Sequence, residues 1–391
     1  MRSPPAALAA LSALPGSALR CVLAIPARDE AARLPACLDA LAAQSPEALA
    51  GTAVLLLANN CRDDTIGLAR AMAPGLPFPL LTVEAVLPPG QAHAGGARAA
   101  AMDAAAALLG EAPEGVLLST DADARPEPGW LAANLAELAA GADAVAGAVL
   151  PDPREAALLP PALRRREAAE ARYAALLDGL AARLDPIPHD PAPAHGTHSG
   201  ASIAVRLPAY RAVGGMPLVP RGEDRAFFTA LARIDARIRH SAAARVLVSC
   251  RLDGRAGGGM AETLRHRLAD PEAPVDDRLE PAWAAWRRVR ARHALRRLRA
   301  GLGDPADLRI ACGLAPRAMR RILAAPSFGL AWEALQAAPA LRRQVLRPAA
   351  LPRETALARR LLQSLDRAGL SPAGADGATG PADTPLPVAA E

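Results

Sequence analysis

Short apolar runs alternate with amphipathic stretches through the first part of the chain. The run at 53–58 (AVLLLA) is apolar without a break, as is typical of a strand buried on both faces of a parallel sheet. Residues 31–44 instead carry leucines at helical spacing. This alternation predicts an α/β fold with a doubly wound, mainly parallel sheet. The expected strands are 21–25, 53–58, 79–86, 116–120 and 143–150, and the expected helices are 31–44, 65–72, 95–109 and 128–139.

The later part of the chain carries fewer strand signals and more helical ones. Residues 154–184 predict one or two helices, 186–193 predict a proline-rich loop, and 200–205 and 245–249 predict strands around a helix at 224–233. Beyond residue 262, helical runs separated by prolines and glycines predict a C-terminal helical appendage. The last stretch is rich in Ala, Gly, Pro and Thr, a composition typical of disorder. We divide the chain into a lead-in (1–19), an α/β domain (20–262), a helical region (263–371) and a disordered tail (372–391).

Composition argues against two classes of protein, nucleic-acid-binding proteins and transmembrane proteins. The chain has 391 residues with 45 Lys+Arg against 40 Asp+Glu, and all of the basic residues are arginine. Together with an alanine excess, this bias indicates codon usage rather than a function. Aromatic residues make up 3% of the chain, too few for the base stacking of nucleic-acid readers, so we expect no nucleic-acid partner. No apolar run reaches the roughly 18 residues of a transmembrane helix.

Cysteine usage and one basic helix bear on the location of the protein. The five cysteines are odd in number and widely spaced, which predicts a reducing compartment and hence a cytoplasmic protein. The arginine-rich helix that contains Trp283 and Trp286 predicts a helix packed on the α/β domain with a solvated basic face. Peripheral contact with anionic lipid is the alternative for this helix.

Two carboxylates, Asp121 and Asp123, follow the apolar strand at 116–120. Sheets of this class bind their ligands outside the carboxyl ends of the strands. One carboxylate can accept a hydrogen bond from a ribose hydroxyl while the other holds Mg²⁺ or Mn²⁺ between two phosphates. The alternative is a turn that only caps the next helix, and the position after a buried strand favours ligand binding.

A second acidic pair, Glu223 and Asp224, lies where a helix is expected to begin. A carboxylate at a helix N-terminus is favoured by the helix dipole, so this pair can be a cap and nothing more. An ionised carboxylate there can also serve as a general base towards an acceptor hydroxyl. Taken alone, the pair does not distinguish these two roles.

The remaining polar segments allow more than one interpretation. The turns at 26–30 and 59–65 follow strands, so they are either nucleotide contacts or helix caps. The segment 90–98 is not a GxGxxG fingerprint, although a diphosphate can rest at that helix start near Arg98. Three histidines, His195, His198 and His240, are either ordinary loop histidines or a third metal ligand.

Taken in chain order, these segments resemble glycosyltransferase family 2, whose members are inverting enzymes with a GT-A fold. PARDE is close to the family's P-x-x-N-E opening, and ANNCRDDT is close to its D-x-x-S-x-D-x-T turn. The resemblance continues through TDADARPEPGWL, HSGASIAVRLPAYRAVGG and GEDRAFF, and it covers about residues 20–262 in the family's order and spacing.

The resemblance implies roles for individual residues. Asp121 would contact the donor's ribose or share the metal, and Asp123 would ligate the metal, Mn²⁺ or Mg²⁺, at the diphosphate. Asp224 would be the catalytic base, with Glu223 beside it shaping the acceptor pocket. The other residues expected to bind the nucleotide sugar are Pro26, Ala27, Glu30, Asn59 and Arg98.

Two departures from the family pattern narrow this expectation. Ala58 stands where many members have an aspartate that reads the nucleobase, which weakens the case for a UDP-sugar donor. The Q-x-x-R-W motif of processive synthases is missing, and the corresponding segment 251–255 reads RLDGR. We therefore predict metal-dependent, inverting, non-processive transfer of a sugar from a nucleotide-sugar donor to an acceptor hydroxyl.

Two rival functions stay open. A sugar-nucleotide nucleotidyltransferase also combines an α/β nucleotide fold with paired carboxylates, but it would usually carry a glycine-rich basic loop after the first strand, where this chain has PARDE. A non-catalytic protein that binds nucleotide sugars is the other rival. Ala58 favours it slightly, and the two acidic pairs count against it.

Overall fold

A computed structural model of the protein describes residues 19–254 and 259–370. The predicted lead-in at 1–19, apart from its last residue, and the predicted tail at 372–391 lie outside the described residues. The chain forms two compact units. The first takes in the described residues up to Arg164 and then His195–Asp270, and the second takes in Arg165–Ala194 and the described residues from Pro271 onward. The division into domains at residue 262 stays a prediction.

One eight-stranded sheet forms the centre of the first unit, with strand order β3-β2-β1-β4-β7-β6-β8-β5. Four neighbouring pairs are parallel (β1 with β2 and β4, β2 with β3, β6 with β8), and the other three are antiparallel. The strands are β1 (Cys21–Ala27), β2 (Thr52–Asn59), β3 (Leu80–Ala85), β4 (Val116–Ser119), β5 (Arg125–Pro126), β6 (Ala144–Pro151), β7 (Ile203–Arg206) and β8 (Ile238–Val248).

Helices cover both faces of this sheet. The helices of the first unit are α1 (Leu34–Ala42), α2 (Pro46–Leu49), α3 (Thr65–Met72), α4 (Ala94–Leu109), α5 (Trp130–Ala139), α6 (Pro153–Leu158), α8 (Leu207–Ala212), α9 (Glu223–Arg233) and α10 (Met260–Ala269). Successive residues of β1 alternate between two cores: Leu23 packs in a cluster with Leu38 of α1, and Val22 packs in a cluster with Met102 of α4. The predicted α/β fold with a doubly wound, mainly parallel sheet is confirmed.

The structure differs from the predicted elements where a segment is short or its residues are small. The last strand was expected at 245–249, but β8 begins at Ile238. Its first half contains small and charged residues, so it has no apolar run to signal a strand. The two-residue strand β5 and the short helices α2 and α8 were not expected, because elements of two to six residues carry no measurable periodicity.

The carboxyl ends of the parallel strands β1, β2 and β4 meet at one edge of the sheet. The antiparallel strand β7 begins at the same edge, because Ile203 is the register partner of Ser119. The loops that follow Ala27, Asn59 and Ser119 therefore converge on the loop that precedes β7. The predicted site residues come from the ends of β1 and β2, from the loops that follow β1 and β4, and from the starts of α4 and α9.

The second unit is helical. It contains most of α7 (Pro161–Leu184) and then α11 (Ala282–Arg299), α12 (Pro305–Ala311), α13 (Pro316–Leu323), α14 (Phe328–Gln336) and α15 (Leu351–Arg367). On α11, Trp286 is buried in the core, whereas the exposed ring of Trp283 lies 4.6 Å from the Arg287 guanidinium. Within the described residues, we find no helix both long and apolar enough to cross a membrane.

Gly147 of β6 offers a test of packing near the carboxyl edge. A Cβ added there would lie 2.0 Å from Ser202 Oγ and 2.5 Å from the Ala244 carbonyl oxygen, and Ser202 Oγ also accepts a hydrogen bond from the buried indole of Trp130. We expect Gly147→Ala to lower the free energy of unfolding by about 1–3 kcal/mol in urea titrations. Gly75→Ala is the control, because a Cβ there meets no described atom within 4 Å. Equal stability of the two variants would contradict this account of the packing.

Candidate functional site

The guanidinium of Arg98 lies at the centre of the site, although the side chain starts from the second turn of α4. Its Nε donates to Glu223 Oε1 (3.1 Å), and its Nη2 donates to Asp121 Oδ1 (2.6 Å). Its Nη1 donates to both Ser119 Oγ and the Gly200 carbonyl oxygen, at 2.8 Å each. One buried cation thus joins the end of β4, the loop before β7 and the start of α9.

Two glycines make room for this arrangement. A Cβ on Gly200 would lie 2.3 Å from Arg98 Cζ, so any side chain there would displace the guanidinium. A Cβ on Gly95 would lie 2.2 Å from the Val219 carbonyl oxygen and 3.2 Å from Glu223 Cβ. Gly95 therefore allows α4 to approach the loop that leads to α9.

The charges around Arg98 keep it ionised. Burial alone would lower its pKa, but the carboxylates of Asp121 and Glu223 outweigh that effect and hold the pKa above its usual range. Only 5% of Arg98 is exposed, and a buried charge of this kind is stable only when it is paired and hydrogen-bonded. Glu223, itself buried, is therefore committed to Arg98 by an ion pair.

Asp224, next to Glu223, faces the same loop. Its Oδ2 accepts from the Gly200 amide (3.0 Å), and its Oδ1 accepts from the Arg225 amide (2.6 Å). Burial, and then the negative charge of Glu223, raise the pKa of Asp224 above its ordinary value, although these hydrogen bonds and Arg98 oppose the shift. A carboxylate whose pKa is raised is a stronger base, which suits proton abstraction from a hydroxyl.

Asp123, the other half of the first acidic pair, contacts an arginine that sequence reasoning did not single out. Arg251 Nη2 lies 3.0 Å from Asp123 Oδ2, and the same guanidinium binds the carboxylate of Glu30. Burial and the charge of Asp121 raise the pKa of Asp123 to about 6, although Arg251 acts in the opposite direction. A further positive charge nearby would stabilise the ionised form of this carboxylate.

The donor atoms present fit a divalent cation. Hard cations such as Mg²⁺ and Mn²⁺ prefer carboxylate oxygens, and the arginine contacts use Asp121 Oδ1 and Asp123 Oδ2, one oxygen of each carboxylate. The carboxylates joined to the two guanidiniums outnumber them by two charges, which one divalent cation would balance. These carboxylates are Glu30, Asp121, Asp123 and Glu223, and the guanidiniums are Arg98 and Arg251.

The polar turns after β1 and β2 hold each other in place. The Glu30 amide donates to Thr65 Oγ1 (2.9 Å), the Ala31 amide donates to Asp63 Oδ2 (2.9 Å), and Asp29 Oδ1 accepts from the Arg62 amide (2.6 Å). Within the described residues, three potential metal-ligating atoms lie close together only at Asp29, Cys61 and Asp63. Because both carboxylates there bind backbone amides, this cluster is explained as a brace that positions Glu30.

The other residues expected to bind the nucleotide lie on adjacent strand ends. Pro26 and Ala27 end β1 in register with Leu57 and Ala58, and the buried Asn59 ends β2. The structure thus brings these residues to the edge that also carries Asp121. Their contact with a nucleotide stays a prediction.

The three histidines cluster together, which the sequence did not show. The Nε2 atoms of His198 and His240 lie 3.0 Å apart, and the His198 ring stacks on Phe228 with centroids 4.4 Å apart. The rings of His195 and His240 form a T-shaped pair with centroids 5.8 Å apart. Among the described residues they do not form a three-ligand centre with one another or with a carboxylate, so no histidine is assigned to the metal.

Three contributors were missed by sequence reasoning. Ser119 directly precedes the segment TDADARPEPGWL, two residues before Asp121, and Gly200 lies inside HSGASIAVRLPAYRAVGG, two residues after His198. Arg251 lies three residues after the end of β8, and a charge in the loop that follows a strand is a weak signal. Its partners Glu30 and Asp123 are distant in sequence, so their contact with it is visible only in the fold.

No protein-family model matches the sequence, and no curated protein matches it. Among solved structures, the chain is similar to the mannosyltransferase PcManGT from Pyrobaculum calidifontis in complex with GDP-Man and Mn²⁺, at 18% identity over 93% of this chain and 91% of that chain, with a TM-score of 0.42. It is also similar to S. aureus TarS 1-349 in complex with UDP-GlcNAc, at 13% identity over 90% and 92%, with a TM-score of 0.43. Likeness at this level does not by itself define a fold or an activity.

The ion pairs of Arg98 can be tested by removing its charge. We expect Arg98→Met to lower the free energy of unfolding by about 3–5 kcal/mol, because two carboxylates lose their buried partner. Adding Glu223→Gln should restore part of that loss. Arg211→Met is the control, since Arg211 pairs with the exposed Glu111 and exposed pairs contribute about 1 kcal/mol or less. Equal urea midpoints for Arg98→Met and the control would refute the central role of Arg98.

Proposed function

We propose that this protein is a metal-dependent, inverting, non-processive glycosyltransferase that uses a nucleotide-sugar donor and an acceptor hydroxyl. The observation that carries the proposal is the pair of ion contacts of Arg98, which tie Asp121 to the helix start that bears Glu223 and Asp224. One edge of the sheet would thereby hold both the acidic residues proposed to bind the donor and Asp224, the proposed base. The order and spacing of the family 2 motifs support the same conclusion.

The donor side would use the strand-end residues. Pro26, Ala27 and Asn59 would line the nucleotide, and Asp121 would accept from its ribose or share the metal. Asp123 would ligate the cation at the diphosphate, which when bound supplies charge stabilisation to the departing nucleoside diphosphate. The braced turn after β1 would keep Glu30 fixed at the edge of this pocket.

The acceptor side would use Asp224. Its carboxylate would take the proton of the acceptor hydroxyl while the hydroxyl oxygen bonds to the anomeric carbon and the bond from that carbon to the diphosphate oxygen breaks. A single displacement inverts the anomeric centre. The amides of Gly200 and Arg225 fix the carboxylate in place, and such positioning supplies much of the rate in bimolecular reactions.

Glu223 would act through its neighbours rather than on a substrate. Its carboxylate is paired with Arg98, and its charge contributes to the raised pKa of Asp224. We therefore propose that Glu223 positions Arg98 and tunes the base, in place of shaping the acceptor pocket directly.

Non-processive transfer and a cytoplasmic location are supported by two other features of the chain. The sequence lacks the Q-x-x-R-W motif of processive synthases, which supports transfer of single sugars. All five cysteines are unpaired thiols, which supports a reducing compartment and hence the cytoplasm.

The decisive experiment compares variants of the proposed base and of the proposed metal ligand. We expect Asp224→Asn to keep Mn²⁺-dependent donor binding but to lower acceptor-dependent release of nucleoside diphosphate by about 10²–10⁴-fold, because asparagine cannot accept the proton. Asp123→Ala should lose the Mn²⁺-dependent part of donor binding. The measurement is a panel of nucleotide sugars with simple glycoside acceptors, scored for released nucleoside diphosphate, with NMR of the anomeric configuration of the product.

Asp103→Asn is a matched control, because Asp103 lies on α4 and accepts from the Tyr210 hydroxyl, outside the site. Release of pyrophosphate from a sugar phosphate and a nucleoside triphosphate would favour a nucleotidyltransferase. Donor binding with no release in any combination would favour a binding protein. Transfer by Asp224→Asn within a few-fold of wild type would remove Asp224 from the mechanism.

A further inference from the structure

Arg251 joins two loops at the edge where the donor is proposed to bind. Its Nη1 donates to Glu30 Oε2 (3.0 Å) and its Nη2 to Glu30 Oε1 (2.5 Å), which is a bidentate pair. The same Nη2 lies 3.0 Å from Asp123 Oδ2. One amino group is therefore shared between the carboxylate after β1 and the proposed metal ligand after β4.

The two carboxylates hold Arg251 differently. Glu30 offers both oxygens, is nearly buried, and has its backbone amide bonded to Thr65 Oγ1 in the braced turn. Asp123 offers one oxygen to one amino group, and its side chain is more exposed than that of Glu30. A bidentate pair of arginine and carboxylate is the stronger and more directional contact. Glu30 is thus the anchor of Arg251, and Asp123 is the partner that can be exchanged.

Asp123 cannot serve Arg251 and a divalent cation equally well. Both are cations that bind the same carboxylate and repel each other, so each weakens the binding of the other. When Asp123 turns to a cation, Nη2 of Arg251 keeps Glu30 Oε1, but its second N–H needs another acceptor, because the arginine side chain is only 13% exposed and an unpaired buried N–H is costly. The diphosphate of the proposed nucleotide-sugar donor would bring the required anionic oxygens to this place.

We propose that Arg251 is a donor-binding residue with two partners: it neutralises Asp123 in the donor-free protein, and it contacts the donor's diphosphate once Asp123 ligates the divalent cation. Glu30 holds the guanidinium in both states. This inference rests on the proposed function and adds a residue to its donor site. Arginine suits the task because its planar guanidinium matches phosphate oxygens while it keeps the bidentate contact to Glu30.

The exchange of partners has a signature that a purely structural ion pair lacks. Removal of a competitor should tighten the binding of Mn²⁺ alone, and removal of a phosphate ligand should weaken the binding of a nucleoside diphosphate. The two effects have opposite signs and are measured on the same variant. Loss of local structure would instead weaken both.

The experiment titrates Mn²⁺ alone, and then UDP and GDP at saturating Mn²⁺, into the full-length protein by calorimetry. We expect Arg251→Gln to bind Mn²⁺ about three-fold tighter or more, and to bind the nucleoside diphosphate about ten-fold weaker or more, since a charge-assisted contact to phosphate is lost. Arg251→Lys keeps the positive charge but loses the planar guanidinium, so its two affinities should lie between those of Arg251→Gln and wild type. Arg211→Gln, which loses an ion pair to Glu111 outside the site, should leave both affinities unchanged.

Each outcome decides the matter. Opposite changes in the two affinities support the exchange of partners. Weaker binding of both ligands by Arg251→Gln, or no change in either affinity, overturns it. If Arg251→Gln does not fold, the same criterion applies to Arg251→Lys. Wild type that binds neither UDP nor GDP with Mn²⁺ counts against the proposed function as well, whereas normal wild-type binding with an unchanged variant counts against Arg251 alone.

Discussion

The site depends on the cost of burying the charge of one arginine. A guanidinium in the interior must have its donors satisfied by fixed acceptors, and Arg98 meets that requirement with groups from the end of β4, the loop before β7 and the start of α9. If any of these segments moved far, the guanidinium of Arg98 would stay buried in a low dielectric without one of its partners. The geometry of the acidic residues is therefore a consequence of keeping Arg98 satisfied.

The sheet supplies the frame on which this constraint acts. Parallel strands β1, β2 and β4 end at one edge, and the antiparallel strand β7 starts there. That placement brings two arginines to the same acidic region: Arg98, fixed from the helix side, and Arg251, held by Glu30 from the strand side. The two cations differ in what they can do, because Arg98 is enclosed by its partners while Arg251 keeps one partner that can be replaced.

Much of the fold can be predicted from the sequence because the central strands are buried on both faces. The continuous run at 53–58 predicts β2, and the strand β4, which follows the same rule, places Asp121 and Asp123 at the edge where β1 and β2 also end. What the sequence could not provide was the set of contacts between distant segments. Arg98 lies 102 positions from Gly200, and Arg251 lies 221 positions from Glu30, and no local pattern encodes such pairs. The early start of β8 was missed for a local reason, since its small and charged residues carry no strand period.

The central claim is that the ion pair of Arg98 and Glu223 fixes the start of α9, where burial and the charge of Glu223 raise the pKa of Asp224 against the opposing charge of Arg98. The most direct measurement is a ¹³C NMR titration of the aspartate carboxyl carbons in wild type and in Glu223→Gln, with Asp224→Asn to assign the resonance. Burial and the Glu223 charge both disfavour the ionised form of Asp224. The account predicts a wild-type pKa above the ordinary aspartate value, shifted downward in Glu223→Gln because a neighbouring negative charge is removed. A pKa at or below the ordinary value, or one that Glu223→Gln leaves unchanged, would contradict it.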